Sequence, residues 1–181
     1  DVELNSLNMD VSKLEEALTA KTRMVTAVNI LGNPCALDTL RDFCDQHHLY
    51  LYEDNCESMG AELKGKPCGT FGDIGTFSTF FSHHISTMEG GVLVTDDKEL
   101  FHLAIALRSH GWTRHLPEDT MIYDKSHEDF FEAYRFILPG YNVRPTEING
   151  AVGIEQLKKF DDLMAKRQKN ADLFVQLFKN D

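Results

Sequence analysis

The apolar positions of the first fifty residues switch between two periods. Val11, Leu14 and Leu18 recur at helical spacing behind Asp10, a residue type that caps helices. Residues 24–31 are rich in Val, Ile and Ala and predict a buried strand, closed by Gly32-Asn33-Pro34. Leu37, Leu40, Phe43 and Cys44 then return to a helical face, and residues 49–52 predict a second strand. Strand, helix, strand in that order points to a parallel sheet with crossover helices. Two further short strands are expected at Ile74–Ser78 and 92–95, followed by a helix near 97–109. Residues 111–125 hold Pro117, several charges and little periodicity, so a loop is expected there. Pro145 suits the first turn of another helix, with Ile148, Val152 and Leu157 on one side. The expected class is α/β, a mostly parallel sheet with helices on both faces.

Composition narrows the function. The 181 residues are 42% hydrophobic and 26% charged, ordinary for one globular domain with a sizeable core. A net charge of −11 argues against nucleic acid or an anionic membrane as partner, because both need a basic face. No apolar run approaches the roughly 20 residues that span a bilayer. Cys35, Cys44, Cys56 and Cys68 form no C-x-x-C pair and are expected to be free thiols of a cytoplasmic protein. The chain opens on Asp1, and residues 166–178 stop in a helical pattern, so 1–181 is expected to be an internal piece of a longer enzyme.

Chemistry concentrates in two places. One is the strand end Leu51-Tyr52-Glu53-Asp54, followed by Asn55-Cys56-Glu57-Ser58. In open α/β sheets the carboxyl ends of strands face the ligand crevice. A carboxylate there can hold a proton on a pyridine nitrogen, or simply cap a turn. The other is TFSTFFSHHISTMEGG at residues 76–91, a strand leading through hydroxyls into His83-His84 and then Glu89-Gly90-Gly91. Adjacent histidines point in different directions, and no metal site is expected.

Together these segments resemble the DegT/DnrJ/EryC1/StrS family of sugar aminotransferases, along essentially the whole chain. The resemblance implies the large domain of the aspartate-aminotransferase type (fold type I), of which 1–181 would be the central part. It also implies pyridoxal 5'-phosphate or pyridoxamine 5'-phosphate as cofactor. Asp54 takes the role of pyridine partner, Glu57 reaches the ring hydroxyl, and Ser78 (or Thr79) helps hold the phosphate. Gly140-Tyr141-Asn142-Val143-Arg144 is similar to the family's G-x-N-x-R, which makes Asn142 a phosphate contact for the neighbouring subunit of a homodimer with shared sites. Trp112, Arg114 and His115 either contact a nucleotide sugar or pack their loop.

Most of the family carries a lysine just before E-G-G, and here the basic residues are His83 and His84. Counting back from Glu89 selects His84 for the replaced position, with His83 as the alternative. The histidine-for-lysine branch is that of the nucleotide-sugar 3-dehydratases. Imidazole forms no lasting bond to the cofactor but moves protons near neutral pH. The expected activity is loss of the C3 hydroxyl from a 4-keto-6-deoxyhexose, with L-glutamate regenerating pyridoxamine phosphate. No cysteine follows Cys68, and the His110–Pro117 stretch HGWTRHLP stands where iron–sulfur relatives carry theirs. That stretch resembles the family's branch without a cluster, and the resemblance implies GDP-4-keto-6-deoxymannose as substrate, on the route to colitose. Two other readings remain open: an aminotransferase using Lys64 or Lys66, and a cofactor-free scaffold.

Overall fold

Strands β1 (Met24–Val28) and β2 (Tyr50–Asp54) pair in parallel, with Met24 opposite Tyr50 and Val28 opposite Asp54, in the computed structural model, which describes residues 1–179. Strand β5 (Ile74–Ser78) adds to β2 in parallel, with Asp54 opposite Thr76. With β6 (Gly91–Val94) the sheet order is β1-β2-β5-β6. A two-stranded antiparallel ribbon, β3 (Glu62–Leu63) and β4 (Lys66–Pro67), lies between β2 and β5 in the chain. The parallel sheet expected from the strand–helix–strand order is present.

The core forms where helix α2 (Leu37–His47) crosses from β1 to β2. Leu37, Leu40 and Cys44 share its buried face and pack with Val25, Ala27 and Leu51 of the strands. Burying each of the three leucines contributes roughly 2 kcal/mol. The helix stops at His48, whose left-handed backbone (φ +53°) lets its N–H reach back to the carbonyls of Cys44 and Asp45. The four cysteines are free, three of them buried.

Several boundaries differ from the sequence expectation. The first strand ends at Val28 instead of running to residue 31. Asn29 is buried there; its Oδ1 accepts the Cys35 N–H at 2.7 Å and its Nδ2 donates to Asn55 Oδ1 at 2.7 Å. That bends the chain into a short 3-10 turn, Ile30–Gly32, with Leu31 at φ +52°. Behind Asp10 the helical pattern yields only a 3-10 turn and helix α1 (Leu14–Ala17), closed by hydroxyl turns at Thr19 and Thr22. The second strand extends to Asp54, which carries that carboxylate to the strand's carboxyl end.

Glu53 is fully buried, and its carboxylate accepts three backbone N–H groups at 2.7 Å, from Gly69, Phe71 and Gly72. The loop reaches it because β5 passes underneath at Gly75, where a Cβ would lie 2.2 Å from Gly69 O. Replacing Glu53 by Gln in the full-length protein turns an amide donor onto one of those donors. The expected result is a loss of about 2–4 kcal/mol in urea unfolding.

The chain forms two compact units: Asp1–Leu93 with the helices from Thr146 onward, and Val94–Pro145. In the second, Asp97 caps α3 (Lys98–Leu107) by accepting the Leu100 N–H at 2.9 Å. After a largely irregular stretch comes α4 (Asp129–Ala133), and bridges pair Ser109 with Asn142 and Trp112 with Phe136. In the first unit, α5 (Glu147–Leu157) and α6 (Phe160–Leu177) follow. Pro145 precedes the cap of α5 rather than opening its first turn; Thr146 is the cap and Asn149 its box partner. Among the described residues no helix is long and apolar enough to cross a membrane.

Candidate active site

The carboxyl end of β2 presents two acids with opposite fates. Glu53 points into the structure and is consumed by the loop above, whereas Asp54 stays half-exposed. Asp54 Oδ1 accepts the Cys56 N–H at 3.1 Å, a turn that leaves acceptor capacity on the carboxylate. Burial first, and then the hydrogen bond to Asp54, push the neighbouring Cys56 thiol up to about 11. Cys56 therefore remains a protonated donor beside Asp54 at neutral pH.

Next to β2, strand β5 runs on past the Asp54–Thr76 pair to Ser78 at its carboxyl end. Two residues of strand correspond to about 7 Å of rise. Among the described residues Ser78 Oγ accepts only the Phe80 N–H, at 3.2 Å, so its own proton is available to a ligand. Thr79, the alternative hydroxyl, is buried and shares its Oγ1 with Thr87 Oγ1 at 2.7 Å. Of the two, Ser78 has the hydroxyl free to bind.

The segment from Thr79 to Gly90 is a loop pinched at its base. Thr79 N–H donates to Gly90 O at 3.0 Å and Thr87 N–H to Thr79 O at 2.8 Å. Ile85, within the loop, is buried. The loop carries His83 and His84 into a cleft of about 140 Å³ lined by Leu31, Glu57, Ser82, His83, His84 and Arg167. Glu57 Oε2 accepts the Leu31 N–H at 3.2 Å, which fixes the left-handed turn after β1 against the acid. Both histidines are half-buried. The His83 ring meets Phe80 edge-on, centroids 6.3 Å apart. The His84 ring has its Nδ1 buried with no hydrogen-bond partner among the described residues. Burial, then Arg167 and then His83 hold the His84 pKa below the usual histidine range, against an opposing pull from Glu57. His84 is thus a neutral imidazole at pH 7.

The sequence candidates divide in space. Glu57, His83 and His84 share the cleft; Asp54 and Ser78 stand at the adjacent strand ends and do not line it. Asn142 belongs to the other compact unit, exposed, its side-chain oxygen accepting from Arg144 at 3.4 Å. Trp112 is committed to its own loop: its indole N–H donates to Ala133 O at 2.9 Å and its ring stacks on Phe136. Arg114 lies over the same indole, 5.2 Å from the ring centroid. Lys64 is paired with Asp38, and Lys66 sits 4.5 Å over the Phe71 ring. Among the described residues no cluster of three or more His, Cys, Asp or Glu could hold a metal ion.

Three participants escaped the sequence reading. Arg167 reaches the cleft from α6, far along the chain, and no motif announces it. Glu53 reads as half of a site motif and turns out to be structural. Asn149 anchors the histidine loop, and the T-x-x-N spacing from Thr146 was its one visible signal.

A pyridoxal-type cofactor needs a carboxylate for its ring nitrogen, hydroxyl and N–H donors for its phosphate, and a proton-transfer base. Asp54, Ser78 and the two histidines are of the types such a donor set needs, and the buried His84 Nδ1 has no hydrogen-bond partner among the described residues. The arrangement fits.

Known proteins are similar to this chain along its length. The GDP-4-keto-6-deoxy-D-mannose 3-dehydratase of Yersinia pseudotuberculosis is 52% identical over 179 residues, 98% of this chain and 46% of that protein. The Escherichia coli GDP-4-keto-6-deoxy-D-mannose-3-dehydratase, solved with bound hydrated PLP, superimposes with a TM-score of 0.92 at 50% identity, covering 99% of this chain and 46% of that one. A variant of ColD, the GDP-4-keto-6-deoxymannose-3-dehydratase, has also been solved, with a histidine and the serine directly before it replaced by lysine and asparagine. It superimposes with a TM-score of 0.93 at 48% identity, covering 100% of this chain and 48% of that one. The chain spans about half the length of the relatives it matches. The model of the DegT/DnrJ/EryC1/StrS aminotransferase family matches residues 1–180, and the chain belongs to that family.

Proposed function

We propose that the full-length protein is a nucleotide-sugar 3-dehydratase that uses pyridoxamine phosphate, with GDP-4-keto-6-deoxymannose as substrate and glutamate as amine donor. The observation that carries this reading is that among the described residues imidazole, and no lysine, lines the cleft shared with Glu57.

When bound, the cofactor supplies an amine that takes up the 4-keto group of the sugar and a ring that accepts electrons. Asp54 holds the proton on the ring nitrogen, which makes that acceptance favourable. Glu57 orients the ring hydroxyl, and the Ser78 hydroxyl donates to the phosphate. A histidine removes a proton from the cofactor C4′ carbon and returns it to the departing C3 hydroxyl as water leaves. The atoms balance when each sugar deoxygenated consumes one glutamate and releases one 2-oxoglutarate and one ammonia.

His83 is the histidine we assign to the lysine's place. The ColD variant replaces a serine followed directly by a histidine, and in residues 76–91 that pair is Ser82-His83. The spacing count back from Glu89 selects His84 instead, with His83 as the alternative. His84 is the second reading: its buried, neutral ring is suited to accept a proton. A homodimer in which Asn142 completes the neighbouring site, working in the cytoplasm on colitose for lipopolysaccharide O-antigen, is the setting we propose. An ordinary aminotransferase built on Lys64 or Lys66 is disfavoured, because both side chains are already engaged on or beside the β3–β4 ribbon.

The test is stoichiometric. Full-length protein given pyridoxamine phosphate, GDP-4-keto-6-deoxymannose and glutamate should release ammonia and 2-oxoglutarate in equal amounts. Formation of 2-oxoglutarate without ammonia is the signature of transamination and contradicts the reading.

A further inference from the structure

The histidine loop has no regular structure of its own, so something outside it must fix where the imidazoles sit. Asn149, at the third position of α5, does so from an element more than fifty residues away. Its Nδ2 donates to Thr87 O at 2.7 Å and to Glu89 O at 3.2 Å. Its Oδ1 accepts the Thr146 N–H at 2.9 Å, so one amide side chain joins the helix cap to the outgoing limb of the loop. One turn further on, Gly153 lets the helix lie close: a Cβ there would come within 3.1 Å of the Thr87 methyl. Thr87 in turn holds Thr79, the residue after Ser78, through the hydroxyl pair at the base of the loop.

We infer that Asn149 is a positioning residue. It couples α5 to the loop so that the histidines keep a fixed reach relative to Ser78. Both amide donors point at carbonyls of the loop, and a side chain that served only as helix cap would need neither. The inference rests on the proposed dehydratase chemistry for its effect on turnover, while the anchoring itself can be measured without any activity.

Asn149→Asp separates the two jobs. A carboxylate still accepts the Thr146 N–H and suits a helix N-terminus. It cannot donate to Thr87 O or Glu89 O, and it sets negative charge against both. Thr146→Ala is the converse control, weakening the cap while leaving both donors. In the full-length protein, Asn149→Asp should raise amide exchange at residues 80–88 at least about tenfold, with α5 and the β1–β2 core unchanged. It should also lower kcat by about tenfold or more while KM for the nucleotide sugar stays within about threefold, and shift the pH profile of kcat. Thr146→Ala should leave exchange in the loop and kcat within about twofold of the parent. Unchanged loop exchange in Asn149→Asp overturns the anchoring, and equal effects from both variants reduce Asn149 to a cap. If the parent protein lacks dehydratase activity, the proposed function fails, and the exchange experiment still decides the anchoring.

Discussion

Replacing His83 by lysine is expected to abolish dehydration and give a protein with the yellow absorbance of a lysine-bound cofactor. Removing a positioned acid–base group costs roughly 10²–10⁴-fold in rate. Lysine adds a second obstacle, because its amine would bond to the cofactor carbon that must carry the amine taking up the sugar's ketone. His83→Ala isolates the first effect: activity falls over the same range and the absorbance does not appear. His84→Lys puts a long cation against Arg167 in a half-buried cleft and should lower stability, yet it should not trap cofactor on a lysine. Borohydride reduction followed by peptide mapping reads the difference. Trapping at position 84 and none at position 83 would transfer the catalytic role to His84.

Asp54→Asn should lower kcat by about 10²–10³-fold, the range seen when one preorganised electrostatic group is removed. An amide cannot hold the ring nitrogen protonated, so the ring loses its pull on electrons. The fold has little reason to notice. Asn still accepts the Cys56 N–H through its side-chain oxygen, and the backbone carbonyl at 54 still takes the Asn29 N–H at 3.1 Å. Thermal unfolding within a few degrees of the parent, together with the loss of turnover, separates this carboxylate from Glu53, whose loss should act on stability instead. If Asp54→Asn turned over normally, the pairing of Asp54 with the ring would be wrong.

Those two neighbouring acids show how far the sequence could be read. That a carboxylate closes β2, and that the strand at Ile74–Ser78 ends in a hydroxyl, follows from local patterns: β-branched residues and a motif at the strand end; their adjacency comes from the sheet order. Which of Glu53 and Asp54 faces a ligand depends on the loop at Gly69–Gly72, whose N–H groups reach Glu53 only because Gly75 lets the chain pass beneath. The early end of β1 has a similar cause. Asn29 looks like one more residue of an apolar run until Asn55, brought beside it by the parallel pairing, accepts its amide. The histidine pair was visible at once. Assigning His83 rests on the Ser-His pair replaced in the ColD variant, and Arg167 and Asn149 arrive from helices that no local pattern connects to the loop.

An imidazole in the place of the Schiff-base lysine is expected to direct the chemistry to C–O cleavage. The most direct measurement is the mass of the sugar formed from GDP-4-keto-6-deoxymannose, glutamate and the pyridoxamine-loaded full-length protein. The expected product is a ketone lighter than the substrate by one oxygen atom. An amino sugar that keeps its C3 hydroxyl would contradict it.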